Sequence, residues 1–495
     1  MTTDNSVIVS TPTGTVRGFI RDDHTSVFLG IPYAEPPYGE LRFQPPKPKA
    51  PWQGVLDATR YGPTPQRRAL AEVTTIPEPS IPGDSTLNVN VFAPSIDSTE
   101  GTHPVLVWIH GGGYVAGSPA SPWYDGRSFA RDGVVTVTIS YRLGFDGFGW
   151  LPDAPCNRGV MDWILALEWV RENIAAFGGD PGNVTIAGQS AGGGAVMTLL
   201  TSSRAQGLFH KAAALSGVPA DITLDSARDM TLGIAAHLGV PANTAGFASV
   251  PEEQLIRAQN WADEPTPTHD AVEWLHHLRS IRGMLRLGPV IDGNTVEGTV
   301  AEGLAAGYGK DKPLLIGATQ EEFSRLLVAH AGTFSGLSSH EALQLMGVHN
   351  ESAAAYAGAV PGAATAAVVG RFVSDLVFRR HIPQWIGIRD DSPTWAYDFT
   401  WKSPVSGVSE HCLDVPFVFD VLDDPHVPRV AGGEAPQQLA DAVHSAFVAF
   451  MKLGDPGWKQ TSGQTKHVKG LDLDPSLTDR YASARLVGAL QPART

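Results

Sequence analysis

The sequence predicts an α/β protein, built on a large, mostly parallel sheet flanked by helices. Three observations predict it. Short apolar runs rich in Val and Ile, without polar alternation, read as strands covered on both faces. Strand and helix patterns alternate beyond the first third of the chain, as in a doubly wound sheet. Finally, the β-branched run Asn183-Val-Thr-Ile-Ala187 passes through Gly188-Gln189-Ser190-Ala191-Gly192 into a small, apolar, proline-free segment, Ala191 to Leu200. Strand, tight Gly-x-Ser-x-Gly turn and helix is the context that holds a serine hydroxyl exposed on a strained turn.

The elements follow in order. The first third is rich in Pro and Gly, with strand-like pieces at Val7–Ser10, Gly14–Ile20 and Val27–Gly30, followed by Leu87–Phe92, Val105–His110 and Val134–Tyr141. Gly159 to Phe177 carries Val160, Met161, Ile164, Leu165, Leu167, Trp169, Val170 and Ile174 at helical spacing, and Gly178-Gly179 signals its end. The stretches 224–287 and 339–388 are more helical, the second rich in alanine. Neither shows a linker, so both are expected as helical insertions into one domain spanning 1–495. A last amphipathic helix is expected from Pro436 to Leu453.

Composition narrows the function classes. The chain has 495 residues, 42% hydrophobic and 18% charged, and a formal net charge of −15. That balance argues against a nucleic-acid groove, which needs clustered Lys and Arg. No apolar stretch approaches bilayer-spanning length. The first residues, Met1-Thr-Thr-Asp-Asn-Ser, lack a signal-peptide pattern. Two distant cysteines, Cys156 and Cys412, read as free buried thiols in a reducing compartment, which points to the cytoplasm.

The serine turn alone is a weak signal, because chance supplies such pentapeptides. It needs an oxyanion site, a base and an acid. Val105-Leu-Val-Trp-Ile109 leads into His110-Gly111-Gly112-Gly113-Tyr114, and consecutive glycines after a strand let backbone N–H groups approach a ligand. Such donors stabilise the oxyanion of a tetrahedral intermediate, each by about 2.7–4 kcal/mol. His110 reads as a structural residue of that loop. The base is expected late in the chain, after the acid. Sixteen histidines compete, among them His276, His277, His340 and His444 on helical stretches or in polar loops, and spacing chooses neither base nor acid.

A resemblance does. The chain resembles the type-B carboxylesterase family, which includes bacterial para-nitrobenzyl esterases, animal carboxylesterases and cholinesterases. The motifs run along nearly its whole length. They are Phe28-Leu-Gly-Ile-Pro-Tyr-Ala-Glu-Pro-Pro37, Gly39-Glu-Leu-Arg-Phe43 and Leu87-Asn-Val-Asn-Val-Phe-Ala-Pro94, then the His110 glycine loop, Tyr141-Arg-Leu-Gly144, Phe177-Gly-Gly-Asp-Pro-Gly-Asn-Val-Thr185 and the serine turn. The resemblance implies an α/β-hydrolase fold and a serine carboxylesterase acting through an acyl-enzyme. It makes Ser190 the nucleophile, and Gly112, Gly113 and Ala191 the oxyanion donors. Pro313-Leu-Leu-Ile-Gly-Ala-Thr-Gln-Glu-Glu322 matches the family's acid segment and selects Glu322 rather than Glu321. His411-Cys-Leu-Asp-Val-Pro-Phe-Val-Phe419 matches the base segment and selects His411. Ser216 matches a supporting serine. Cys412 reads as a packing residue.

Departures from the family pattern are informative. Gln189 stands where relatives usually carry Glu, and Phe323 where a glycine usually follows the acid. An early cysteine pair is missing, with Thr86 at one position and the Gly62-Pro63-Thr64 region without the other. Arg42 with Asp84, and Arg142 with Asp162, match structural ion pairs. The resemblance implies no metal and no organic cofactor, and no cysteine-histidine metal spacing is present. The implied partner is a small-molecule ester, with neither nucleic acid nor membrane, and both monomer and homodimer fit the sequence. Short to medium apolar esters are expected, in a pocket lined by Tyr114, the segment beyond Glu322 and the helical insertions. Two other readings are a carbamate or amide hydrolase of the same family and a non-catalytic binding protein. Retention of all three triad residues speaks against the second.

Overall fold

A computed structural model describes residues 5–65, 75–96, 102–259, 270–280, 285–334, 336–360, 362–474 and 480–489. Residues 1–4, where the absence of a signal peptide was read, and 260–269 and 281–284 of the expected 224–287 insertion lie outside them.

The strands are β1 (Ser6–Thr11), β2 (Gly14–Ile20), β3 (Ser26–Pro32), β4 (Val55–Asp57), β5 (Asn88–Ala93), β6 (His103–Ile109), β7 (Val135–Ile139), β8 (Gly179–Gln189), β9 (Lys211–Leu215), β10 (Ile222–Thr223), β11 (Val290–Ile291), β12 (Leu314–Thr319), β13 (Thr394–Phe399) and β14 (Lys469–Leu471). Twelve form one sheet in the order β1-β2-β3-β5-β7-β6-β8-β9-β12-β13-β14, with β4 beside β2, and β10 pairs with β11 separately. Along that order pairing is antiparallel from β1 to β7 and parallel from β7 to β14, while the short β4 lies parallel to β2. The parallel expectation therefore holds for the central and carboxyl-terminal part of the sheet. Its amino-terminal edge is antiparallel: β1, β2 and β3 follow one another through short turns that leave no room for a crossover helix, while β5 returns beside β3 after a long connection.

Alternation along the central strands sorts their side chains into two cores. Val105, Val107 and Ile109 of β6 join one buried cluster while Leu106 and Trp108 join the other, and Leu314 and Ile316 of β12 separate from Leu315 in the same way. The helix Arg158–Asn173 covers the first face with Trp163, Leu167 and Val170, and the helix Gln437–Leu453 covers the second with Val443, Phe447 and Phe450. Both faces of the sheet are thus apolar and covered, which is why these strands lack polar alternation.

The expected helix Gly159–Phe177 is an α-helix, Arg158–Asn173, followed by a 3-10 turn, Ile174–Phe177, stopped by Gly178 at φ 78°. Helices Leu224–Leu238, Thr244–Ala248, Glu252–Gln259 and Ala271–Ser280 occupy the first helical stretch. Ser339–Leu345, Asn350–Ala359, Thr365–Ser374 and His381–Arg389 occupy the second; the first three close a third apolar cluster around Leu343, Tyr356 and Phe372, while Ile382, Trp385 and Ile386 of the last join the first core.

Register fixes where the site lies. Ile109 pairs with Gly188, Gln189 with Leu215, and Gly317 with Leu215. The carboxyl ends of β6, β8, β9 and β12 therefore finish at one edge, and the loops after them emerge together. In open α/β sheets that edge is where ligands bind.

Candidate active site

The turn after β8 is shaped by close approach. A Cβ on Gly188 would stand 2.5 Å from the Gly192 carbonyl carbon, and one on Gly192 would overlap Ile109 O. Only glycine fits at either end, so strand, turn and helix can fold this tightly against β6. Between them Ser190 takes φ 60° and ψ −123°, a conformation that costs about 1–3 kcal/mol. The strain is held by neighbours: Ser190 N donates to Leu215 O at 2.9 Å, and Gly194 N donates to Ser190 O at 2.9 Å. The helix that follows, Ala191–Leu200, is buried throughout.

The glycine loop leans on this turn. A Cβ on Gly111 would lie 3.1 Å from Ser190 Cβ, and Gly112 (φ 114°) and Gly113 (φ 61°) adopt backbone that L side chains rarely allow. This is how a backbone comes within reach of an atom bonded to Ser190, with Ala191 N at the start of the helix on the other side. His110 is buried, its Nδ1 donating to Gly111 O at 2.8 Å and its ring stacked on Tyr141, whose hydroxyl donates to His110 O at 2.9 Å. It braces the loop, as expected. Tyr114 does not line a pocket. Its ring is fully buried against Phe148 and Trp163, because at φ 62° the chain turns it into the core.

The loop after β12 carries two carboxylates with different surroundings. Glu321 accepts from Ser409 N at 3.2 Å and faces Lys402 at 3.4 Å. Glu322 is buried, accepts from Thr319 N at 3.0 Å through Oε1, and meets His411 Nδ1 through Oε2. His411 N also donates to Glu322 O at 2.9 Å, so backbone and side chain fix the pair together. On the other side of the imidazole, Gln189 Nε2 lies 3.1 Å from His411 Nε2. The structure therefore brings Glu322, His411 and the residue preceding Ser190 into one chain of contacts.

Burial pulls the His411 pKa down, while Cys412 and Glu322 push it up, and it ends well above its ordinary 6.5. The Cys412 thiol is itself pushed up by burial and neutral around pH 7, which leaves the Glu322 carboxylate as the charge that holds a proton on the ring.

Ser216 follows β9 at φ 47°, with its N donating to Gly317 O at 2.7 Å and its Oγ buried without a hydrogen-bond partner among the described residues. Arg142 grips Asp162 as expected, with Nη2–Oδ1 at 2.7 Å and both side chains buried. Arg42 does not pair with Asp84. Its Nε and Nη2 reach Asp146 at 3.1 and 3.2 Å, because the helical turn Gly144–Phe148 presents that carboxylate beside it while Asp84 stays exposed. Cys156 and Cys412 are both free, but only Cys412 is buried as expected; Cys156 is half-buried.

Two residues around the imidazole, Phe378 and Asp414, have no role in the sequence reading. Phe378, in a π-helical turn Asp375–Arg379, lies with its ring 4.6 Å from the imidazole, and half-buried Phe323 meets the same ring edge-on at 5.5 Å. Asp414 is buried beneath the pair, accepting from the Tyr397 hydroxyl at 2.8 Å. Its place three residues after His411 could have marked it. Nothing local marks Phe378. No group of three or more His, Cys, Asp or Glu among the described residues could hold a metal ion, and no helix there is long and apolar enough to cross a membrane.

Comparison with known proteins identifies the family. Residues 5–485 match the carboxylesterase family. The chain is 34% identical to para-nitrobenzyl esterase of Bacillus subtilis, over 93% of this chain and 92% of that protein. It is 31% identical to phenmedipham hydrolase of Pseudarthrobacter oxydans, over 91% and 90%. A solved PNB esterase superposes with a TM-score of 0.80 at 30% identity, covering 98% of this chain and 99% of the other. With its α/β-hydrolase sheet, its serine turn and its glycine loop, the chain belongs to the carboxylesterase family and is a carboxylic ester hydrolase.

Proposed function

We propose that Ser190, His411 and Glu322 act as a catalytic triad on small-molecule esters, with the N–H groups of Gly112, Gly113 and Ala191 as oxyanion donors. Ser216 and Gln189 support them. The observation that carries this reading is the Glu322–His411 contact. It holds the imidazole with Nε2 directed at the residue beside a serine on a strained turn. Glu322 fixes the Nδ1–H tautomer, so that Nε2 can take the Ser190 proton as Oγ attacks the ester carbonyl. The oxyanion is received by the three amides. His411 then protonates the leaving alcohol, and water releases the acyl group by the reverse route.

Short to medium apolar esters are the proposed substrates, a single domain over 1–495 the proposed organisation, and the cytoplasm the proposed compartment, which the two free thiols support. Ser190→Ala is expected to abolish ester hydrolysis with an unchanged far-UV spectrum and melting temperature, and to lose covalent labelling by an organophosphate. Near-normal turnover by that folded variant sinks the assignment. A relative named phenmedipham hydrolase keeps one further substrate class in view. Rates on matched ester, carbamate and anilide substrates decide between these, with the ester expected to be fastest.

A further inference from the structure

The two departures from the family pattern, Gln189 and Phe323, meet at one imidazole. His411 Nδ1 faces the Glu322 carboxylate, which can only accept, so in the neutral imidazole Nδ1 carries the proton and Nε2 presents its lone pair. That lone pair repels the Gln189 amide oxygen and attracts its nitrogen, which stands 3.1 Å away. The side chain has little freedom to leave. It is 1% exposed, and its Oε1 is packed over Gly111, 3.1 Å from where a Cβ would be. Phe378 and Phe323 flank the ring and keep it from turning out. The hydrogen bond at Nε2 in the substrate-free enzyme thus comes from Gln189.

We propose that Gln189 is a positioning residue that occupies the lone pair of His411 Nε2 in the free enzyme and yields it to Ser190 when an ester is seated. This rests on the triad reading above. A donor aimed at Nε2 stabilises the neutral imidazole against the imidazolium, opposing the pull of Glu322. A glutamate there could only accept and would favour the imidazolium. Charged or titratable groups near the ring are Glu322 from the loop after β12, and Cys412 and Asp414 on its own segment. β8 contributes only the neutral Gln189, and the π-turn Asp375–Arg379 only the Phe378 ring. In the reaction the amide N–H withdraws and the Ser190 hydroxyl proton passes to Nε2 as the Oγ–C bond forms and the carbonyl π pair moves to oxygen. That proton then goes to the leaving alkoxide as the C–O bond breaks.

The test is the pH dependence of kcat/KM and kcat on p-nitrophenyl acetate for wild type, Gln189→Glu and the near-isosteric Gln189→Met. The acid limb of kcat/KM is expected to rise by about one pH unit in the Glu variant and by a few tenths in the Met variant. In the Met variant the kcat limb stays where it was, because Ser190 already holds Nε2 in the bound enzyme. Folded variants whose kcat/KM limbs coincide with wild type, while His411→Ala is inactive, overturn the proposal and leave the triad intact. Full activity of His411→Ala overturns the triad reading itself.

Discussion

At the scale of single residues, the site sets two buried acids and one imidazole against each other. Because His411, the proposed base, is held above 6.5 and can take a proton only when neutral, activity is expected to fall as pH drops through a value above that. The expected acid limb of kcat/KM is therefore higher than that of an unperturbed histidine, and a flat profile across roughly pH 5 to 9 counts against His411 as base. Glu322→Gln keeps the shape but loses the charge and the tautomer control, and should lower kcat about 10⁴-fold. Asp414 is the opposite case. Burial first, and then the nearby Glu322 charge, push its carboxyl up to about 6, while Tyr397 and His411 pull it down. A carboxyl raised on folding binds its proton more tightly in the native state, so stability is unaffected below the unfolded value. It falls as pH rises from about 4 to 6 and stays reduced above. Asp414→Asn keeps an acceptor for Tyr397 and removes the buried charge. It should melt higher than wild type at pH 8, by up to about 3 kcal/mol, with the advantage gone at pH 4. A pH-independent difference in melting temperature contradicts that account.

At the scale of elements, the glycines separate into those the fold requires and those it tolerates. Gly192 has no room for a methyl group beside Ile109 O, whereas Gly233, inside the helix Leu224–Leu238, has nothing within 4 Å of its would-be Cβ. Gly192→Ala should therefore destabilise strongly and take activity with it. Gly233→Ala should stabilise by about 1 kcal/mol through helix propensity alone. Chemical denaturation of both variants checks the pair, and equal effects contradict the packing argument. The π-turn Asp375–Arg379 belongs to this scale as well. Its extra residue interrupts a helical run, sends Phe378 to the imidazole and Arg379 to the sheet, and illustrates why such turns recur at functional sites.

At the scale of the whole molecule, Arg379 ties the second helical stretch to the sheet edge. It is fully buried, reaching Asp375 at 3.0 Å, Asp398 of β13 at 2.5 Å, Thr319 O of β12 at 2.9 Å and Arg480 O at 2.8 Å. Thr319 is also the residue whose N–H holds Glu322. Arg379→Met removes the ion-pair partner of buried Asp398 and leaves Asp375 with Arg371 alone, at 3.6 Å, and should cost about 3–5 kcal/mol, read as a lower denaturation midpoint. A loss within experimental error shows that the network is not what anchors this stretch.

The sequence by itself determined the α/β class, strands β1 to β3 and β5 to β8, the serine turn with its glycine loop, and, through family motifs, the proposed triad of Ser190, Glu322 and His411. These are legible because backbone demands are local: a glycine at a close approach and an unbroken apolar strand leave their mark in a few consecutive residues. β9 was not legible, since Lys-Ala-Ala-Ala-Leu has no strand propensity and becomes a strand only because β8 and β12 pair with it on both sides. The tertiary structure alone decided that Arg42 takes Asp146 rather than Asp84, that Tyr114 turns inward, and that Gln189 and Phe378 close around His411. Those contacts join segments tens to hundreds of residues apart. Their partners are chosen by sheet register and helix packing, which no local pattern encodes.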